Sequence, residues 1–310
     1  MQRLRNLRKK AVKQNGRHTV ASKARLNSII GALENGRPAF LTFAEPEIGA
    51  ARALRSSRYD GLVFEMEHNG YDVRALRDCL QYLLDRKQIL TRGNLSPGVT
   101  PLVRIPPNGS EMNQWVAKQA LDTGVYGLIF PHVSTVEEAA NAVASCRYPR
   151  PNSRDYYHPS GLRGDGPKWA APYWGTTELE YYEKADVWPL NPNGELFVTI
   201  MCEELRAVKN LPSILKQVPG IGAVLIGEGD LSQDMGYPRQ YDHPEVLARL
   251  QEILNICKEH DVACGHPHVT ADNVEGLIAQ GYRLLMAAPQ PSFLALERGL
   301  SALEKSKHDA

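Results

Sequence analysis

The sequence predicts an α/β protein and, within that class, a (β/α)8 barrel. Three observations lead there. Short apolar segments recur, and each is followed by a stretch with helical spacing. Several of these segments are near-continuously apolar rather than alternating, the pattern of strands buried on both faces of a parallel sheet. The alternation occurs eight times in 310 residues, and a barrel of this kind takes about 250 residues. A doubly wound open sheet is the alternative. It normally carries a glycine-rich phosphate loop after its first strand, where this chain has Phe43-Ala44-Glu45-Pro46-Glu47. Neither G-x-G-x-x-G nor G-x-x-x-x-G-K-[ST] occurs.

The expected strands are 39–43, 61–67, 100–105, 127–133, 196–203, 223–227, 262–265 and 283–287. A helix over 110–122 is marked by Met112, Trp115, Val116 and Ala120 at roughly helical spacing. Ser134-Thr135 caps a helix over 136–146, with Glu137 and Glu138 in its first turn. Asp242-His243-Pro244 opens a long helix through Glu259. Thr270 opens 271–280, and Gly281 stops it. The stretch 148–194 breaks the rhythm with Pro, Gly, Tyr and the tryptophans Trp169, Trp174 and Trp188. Such a long connection is usually functional or partly structured, and a short helix is expected around 177–184. It leaves from the N-terminal face of a barrel, so part of it is expected to pack on a neighbouring subunit. The domain reading is a single barrel over 27–310 with that insertion, preceded by a basic arm over 1–26.

The arm holds nine Lys/Arg and no acid, while the rest of the chain has 27 basic against 35 acidic residues. A solvated arm, an oligomer contact and an organelle transit peptide are the three readings of it. The net charge of +1 argues against a nucleic-acid binder. At 43% hydrophobic and 23% charged residues the chain is globular, not disordered. Apolar runs such as 127–130 are too short to cross a bilayer, so no membrane partner is expected. No apolar stretch of a secretory signal follows the basic start. Five cysteines without a C-x-x-C suggest neither a disulfide framework nor a thiolate zinc site. The compartment is therefore read as reducing and cytoplasmic.

Polar residues at the C-terminal ends of the strands carry the chemistry. The second strand ends Glu65-Met66-Glu67-His68, the third at Arg104, the fifth at Glu203-Glu204, and the sixth in Gly227-Glu228-Gly229-Asp230. In a barrel these ends share one face. Glu203 and Asp230, from neighbouring strands, can hold a hard divalent ion that keeps open positions for water and a chelating substrate. With no Cys or clustered His beside them, Mg²⁺ or Mn²⁺ suits this oxygen set. Arg104 can stabilise an oxyanion. His68 can move a proton, with Glu65 or Glu67 orienting it. Gly227 and Gly229 let backbone N–H groups approach an anion. Each residue also has a plainer role: Asp230 as a helix cap, Glu203 as a solvated acid, Arg104 in a structural ion pair, His68 as a satisfied polar group.

These strand ends resemble the HpcH/HpaI aldolase family, the metal-dependent class II pyruvate aldolases, of which macrophomate synthase is a relative. The resemblance covers most of 24–300 and rests on Phe64-Glu65-Met66-Glu67-His68, Pro101-Leu102-Val103-Arg104, Leu128-Ile129-Phe130-Pro131, Arg147-Tyr148-Pro149, Gly161-Leu162-Arg163-Gly164, Met201-Cys202-Glu203 and Ile226-Gly227-Glu228-Gly229-Asp230-Leu231-Ser232. It implies a (β/α)8 barrel whose last helix is exchanged between neighbours in a homo-hexamer, a trimer of dimers. It implies a divalent ion on Glu203 and Asp230: Mg²⁺ or Mn²⁺ first, Co²⁺ or Zn²⁺ also admissible. By position, Arg104 would stabilise the enolate oxygen, His68 would be the acid/base, and Glu67 would help hold the water shell. The Gly229 and Asp230 amides would bind the substrate carboxylate, with Pro131 and His132 beside it.

The implied reaction is reversible cleavage of a 4-hydroxy-2-oxo acid to pyruvate, or a related 2-oxo acid, plus an aldehyde. An oxaloacetate decarboxylase/carboligase, a CoA-ester lyase and a non-catalytic scaffold are the other readings. The chain departs from the family pattern at Glu65 (commonly Asp), at Glu228-Gly229 (usually Pro-Ala), at His132 and at His266-Pro267-His268. Insertions at 92–99 and 152–160 lengthen it as well. These differences suggest a distinct acceptor pocket.

Overall fold

The computed structural model describes residues 25–107, 111–150, 158–289 and 293–308. Its sheet contains, in chain order, β1 (Ala39–Ala44), β2 (Gly61–Glu65), β3 (Thr100–Arg104), β4 (Gly127–Phe130), β5 (Val187–Trp188), β6 (Leu196–Cys202), β7 (Ala223–Ile226), β8 (Ala263–Val269) and β9 (Leu284–Ala287). All pairings are parallel. β9 returns to β1 at Ala39↔Leu284, and β4 pairs with β6 at Gly127↔Phe197, which closes an eight-stranded (β/α)8 barrel. The two-residue β5 is an outlier that adds to the start of β6.

The near-continuous apolar runs have a direct physical cause: both faces of each strand are buried. One set of alternate residues, including Leu41, Val63, Leu102, Ile129, Phe197, Met201 and Leu225, fills the barrel interior. The other set, including Phe40, Leu62, Phe64, Val103, Leu128, Ile200 and Val224, packs against the surrounding helices. The helix Ser28–Glu34 plugs the N-terminal end by adding Ile29, Ile30 and Leu33 to the interior cluster. Gly61 admits that plug, since a Cβ there would lie 2.6 Å from Ile29 Cδ1. Asn27 fixes the plug. Its side-chain oxygen caps the helix, and its amide donates to the carbonyls of Tyr126 and Glu195.

Most expected elements form with shifted ends. The helix expected over 110–122 runs Gln114–Asp122; its expected first residue lies outside the described residues. Thr135 caps Val136–Cys146 through a capping box with Glu138. The long helix is Pro244–Glu259, with His243 as its cap. Residues 270–273 form a turn closed by Thr270 N–H on Asn273 Oδ1 (2.8 Å), so the next helix starts at Val274 rather than 271. It stops at left-handed Gly281, as expected.

The basic arm lies, up to residue 24, outside the described residues, as does 151–157 of the long insertion. Arg25 already belongs to the barrel, paired with Glu34 and Glu195. The expected short helix forms as Glu178–Lys184 behind its Thr177 cap. Within the chain, the described portion of the insertion is anchored by aromatic stacking and ion pairs. Trp174 is fully buried, stacks on Tyr126 at 4.2 Å and donates its Nε1–H to the Gly124 carbonyl at 2.7 Å. Arg147 and Asp186 form a buried ion pair at 2.6 Å, and Arg163 lies 4.5 Å over the Tyr148 ring while bonding Asp122. No helix among the described residues is long and apolar enough to cross a membrane.

Candidate active site

Strand parity delivers the site. Glu65 lies two residues beyond interior Val63, Arg104 two beyond Leu102, and Glu203 two beyond Met201. Side chains on alternate strand positions share a face, so all three point into the C-terminal mouth of the barrel. Glu65 and Arg104 are also direct register partners across β2 and β3.

Glu65 divides its carboxylate between two tasks. Oε1 accepts the N–H groups of Glu67 (2.8 Å) and His68 (3.1 Å), which shapes the turn after β2. Oε2 accepts from Arg104 Nε at 2.6 Å and lies 2.5 Å from Nη2. Arg104 Nε is also 3.1 Å from Glu67 Oε2, its guanidinium sits 4.8 Å over the Phe43 ring, and Nη1 faces the Met201 sulfur at 3.9 Å. The arginine is thus held by two acids and an aromatic face, with one nitrogen turned inward. Glu67, rather than Glu65, lies beside the His68 ring, at 3.6 Å from Nε2. Burial pushes the Glu67 carboxyl above its usual range, against the pull of Arg104 and His68. His68 itself is largely exposed.

Glu203 is 1% exposed. Its Oε1 accepts the backbone N–H of His132 at 2.5 Å. To present that N–H, the chain after Pro131 turns left-handed, with His132 at φ +54°. The His132 ring turns to Glu204, with Nδ1 3.1 Å from Oε1, and Glu204 also accepts from Ser134 Oγ at 2.7 Å. Burial lowers the His132 pKa, but the field of Glu203 and the bond to Glu204 outweigh it and the net shift is upward. Burial, together with the nearby charges of Glu67 and Asp230, pushes the Glu203 carboxyl up to about 7. Sequence reasoning did not single out Glu204; its signal was one acid directly after another at a strand end.

Asp230 is the third residue of the helix Glu228–Asp234 and is exposed at the mouth. Capping, its plainer role, does not apply, because Gly227 is the N-cap and contributes no side chain. Gly227 is required for another reason: a Cβ there would lie 2.4 Å from Glu203 Oε2 and 2.5 Å from Glu203 Cβ. The Glu203 side chain occupies the space of the missing one. Glu228 turns away from Glu203 and is clasped by His266 and His268 of β8.

The arrangement fits a hard divalent cation. Glu203 is a carboxylate raised chiefly by burial, with the charges of Glu67 and Asp230 adding to the shift and His132 Nδ1, 3.7 Å from its Oε1, opposing it. Among the described residues no group of three His, Cys, Asp or Glu side chains stands at ligating distance. Glu203 and Asp230 are the two carboxylates that could hold such an ion, with its remaining positions left to water or substrate.

An acid-and-arginine-lined mouth at the C-terminal end of a (β/α)8 barrel stands where enzymes of this fold carry their active sites. The family model of HpcH/HpaI aldolase/citrate lyase matches residues 40–288, and the chain belongs to that family. A 4-hydroxy-2-oxo-heptane-1,7-dioate aldolase of Shigella sonnei is 32% identical over 77% of this chain and 79% of its own. A hydroxypyruvate/pyruvate aldolase of Roseobacter denitrificans is 26% identical over 92% of this chain and 98% of its own. The crystal structure of an HpcH/HpaI aldolase/citrate lyase family protein from Burkholderia cenocepacia J2315 superposes with a TM-score of 0.70 at 27% identity, covering 91% of this chain and 99% of that one.

Proposed function

We propose that the protein is a divalent-metal-dependent aldolase that reversibly cleaves 4-hydroxy-2-oxo acids to pyruvate, or a related 2-oxo acid, and an aldehyde. The observation that carries the reading is the buried Glu203 carboxylate, raised to about 7 and facing the charges of Asp230 and Glu67 across the mouth from Arg104. Family membership and the two aldolases similar to the chain support it.

Glu203 and Asp230 hold the cation, Mg²⁺ or Mn²⁺ by donor type, with Co²⁺ or Zn²⁺ admissible. When bound it supplies Lewis-acid polarisation of the keto oxygen. The Gly229 and Asp230 amides, at the start of their helix, receive the substrate carboxylate, with Pro131 and His132 forming the adjoining wall. Arg104, fixed by Glu65 and Glu67, stabilises negative charge as it develops on the keto oxygen. His68, beside Glu67, moves the proton of the 4-hydroxyl, and in the reverse direction that of the new alcohol. The active form is a homo-hexamer, a trimer of dimers with the last helix exchanged, acting in the cytoplasm.

The test is exchange of the pyruvate methyl protons for deuterium, followed by NMR with and without Mn²⁺ or Mg²⁺. This half-reaction needs enolisation but no knowledge of the aldehyde. The reading expects metal-dependent exchange and C–C bond formation with some members of an aldehyde panel. Absence of both rules it out. Metal-dependent CO₂ release from oxaloacetate faster than any aldehyde turnover would move the assignment to the decarboxylase/carboligase reading.

A further inference from the structure

Beside the two metal acids lies a cluster that the proposed chemistry does not use. Glu228, the first residue of its helix, is only 4% exposed. His268 Nδ1 lies 2.5 Å from its Oε2, and His266 Nε2 lies 3.1 Å from its Oε1. A carboxylate oxygen accepts, so His268 Nδ1 is the donor of its hydrogen bond to Glu228. His266 also accepts the backbone N–H of His268 on Nδ1, at 3.3 Å. Its Nε2 faces Glu228 in a charge contact, while burial pushes its pKa down. The His268 ring rests against Tyr241 at 5.1 Å, and the His266 ring against Tyr282 at 5.1 Å. Each oxygen of Glu228 thus faces one imidazole, and each imidazole is braced by an aromatic ring.

This clasp acts on a weak element. The helix Glu228–Asp234 has seven residues and no side-chain N-cap, and so short a helix has little stability of its own. Its other end is tied as well: Asp234 Oδ2 accepts the N–H of Leu205 at 2.7 Å, two residues past Glu203. At its start Gly227 is pressed against the Glu203 side chain. Gly229 and Asp230 lie between these anchors.

We propose that His268 and His266, through Glu228, are positioning residues that set Asp230 and the neighbouring amides against Glu203, so that the affinity for a divalent cation is governed from β8 by side chains that do not touch the ion. This inference rests on the two-carboxylate reading of the metal site.

The experiment titrates the metal-free full-length protein with Mn²⁺, reading the free ion by EPR, alongside thermal unfolding without metal. His268→Ala is expected to weaken binding about tenfold, the lower end of the roughly 10–100-fold effect of removing such supporting partners. His268→Asn, whose amide N–H can replace the Nδ1 donor, is expected to recover affinity to within about threefold of wild type. Glu228→Gln keeps the volume but can satisfy only one imidazole with its oxygen, and is expected to weaken binding as well. It serves in place of His268→Ala if that variant does not fold. Wild-type affinity in His268→Ala, or in Glu228→Gln where that stands in, overturns the proposal. So does an equal loss in the Ala and Asn variants that tracks their metal-free unfolding temperatures. Asp230→Asn separates the two readings. If it loses Mn²⁺ and His268→Ala does not, the clasp inference alone falls. If it binds like wild type, the metal reading falls and the clasp inference with it.

Discussion

Replacing Glu203 by Gln should make the metal-free protein more stable at alkaline pH while removing its capacity to bind the cation. The Glu203 carboxyl titrates at about 7 when folded, against 4.5 for an unperturbed glutamate. Below 4.5 it is protonated in both states and the shift costs nothing. Between 4.5 and 7 the unfolded chain has released the proton and the folded chain keeps it, so stability falls as pH rises through this window and levels off above it. The deficit approaches about 3 kcal/mol at pH 8 and stays below about 1 kcal/mol at pH 5. Glutamine does not titrate, and any constant cost of its amide cancels in the comparison of the two pH values. The variant should therefore gain about 2 kcal/mol on wild type between pH 5 and pH 8, or about 3 °C in unfolding temperature for a chain of this size. The assay is thermal unfolding of both proteins in chelator at each pH, repeated with Mn²⁺. At 100 times Kd the ion should stabilise wild type by about 2.7 kcal/mol and leave the variant unmoved. A pH-independent difference between the two proteins would show that Glu203 is not held near neutrality by burial and neighbouring acids, and the case for a cation there would lose its basis.

Asp230→Asn alters an exposed side chain, so metal-free stability should stay within about 0.5 kcal/mol while calorimetry shows Mn²⁺ affinity falling by more than about 100-fold, beyond the usual range for a supporting residue. Arg104→Ala should leave Mn²⁺ binding in place and slow methyl-proton exchange by about 10²–10³, the effect of removing one oxyanion donor. Gly227→Ala forces a methyl to within 2.5 Å of the Glu203 side chain; the overpacking should cost about 1–3 kcal/mol in denaturant unfolding and weaken metal binding. Trp174→Ala removes the stack on Tyr126 and the bond to Gly124. It should cost about 3–5 kcal/mol without changing Mn²⁺ affinity, because the tryptophan packs beside the start of β4, away from the mouth.

Much of this protein is legible along the chain because strand parity and apolar periodicity are local. Once Val63, Leu102 and Met201 are interior, Glu65, Arg104 and Glu203 must follow onto the same face, and apolar runs buried on both sides specify a parallel barrel before any contact is known. Tertiary structure decided what depends on residues distant in sequence. Whether Glu228 turns toward Glu203 or away depends on β8, some 40 residues on, which supplies the two imidazoles. The need for glycine at 227 lies in the bulk of Glu203, the turn at His132 in an N–H that must reach that same carboxylate, and the docking of the Trp-rich insertion in the open ring face of Tyr126. A first-turn helix residue or a loop has no parity to fix its direction; the partner that can bury it or bond it does so, and that partner exists only once the barrel has closed.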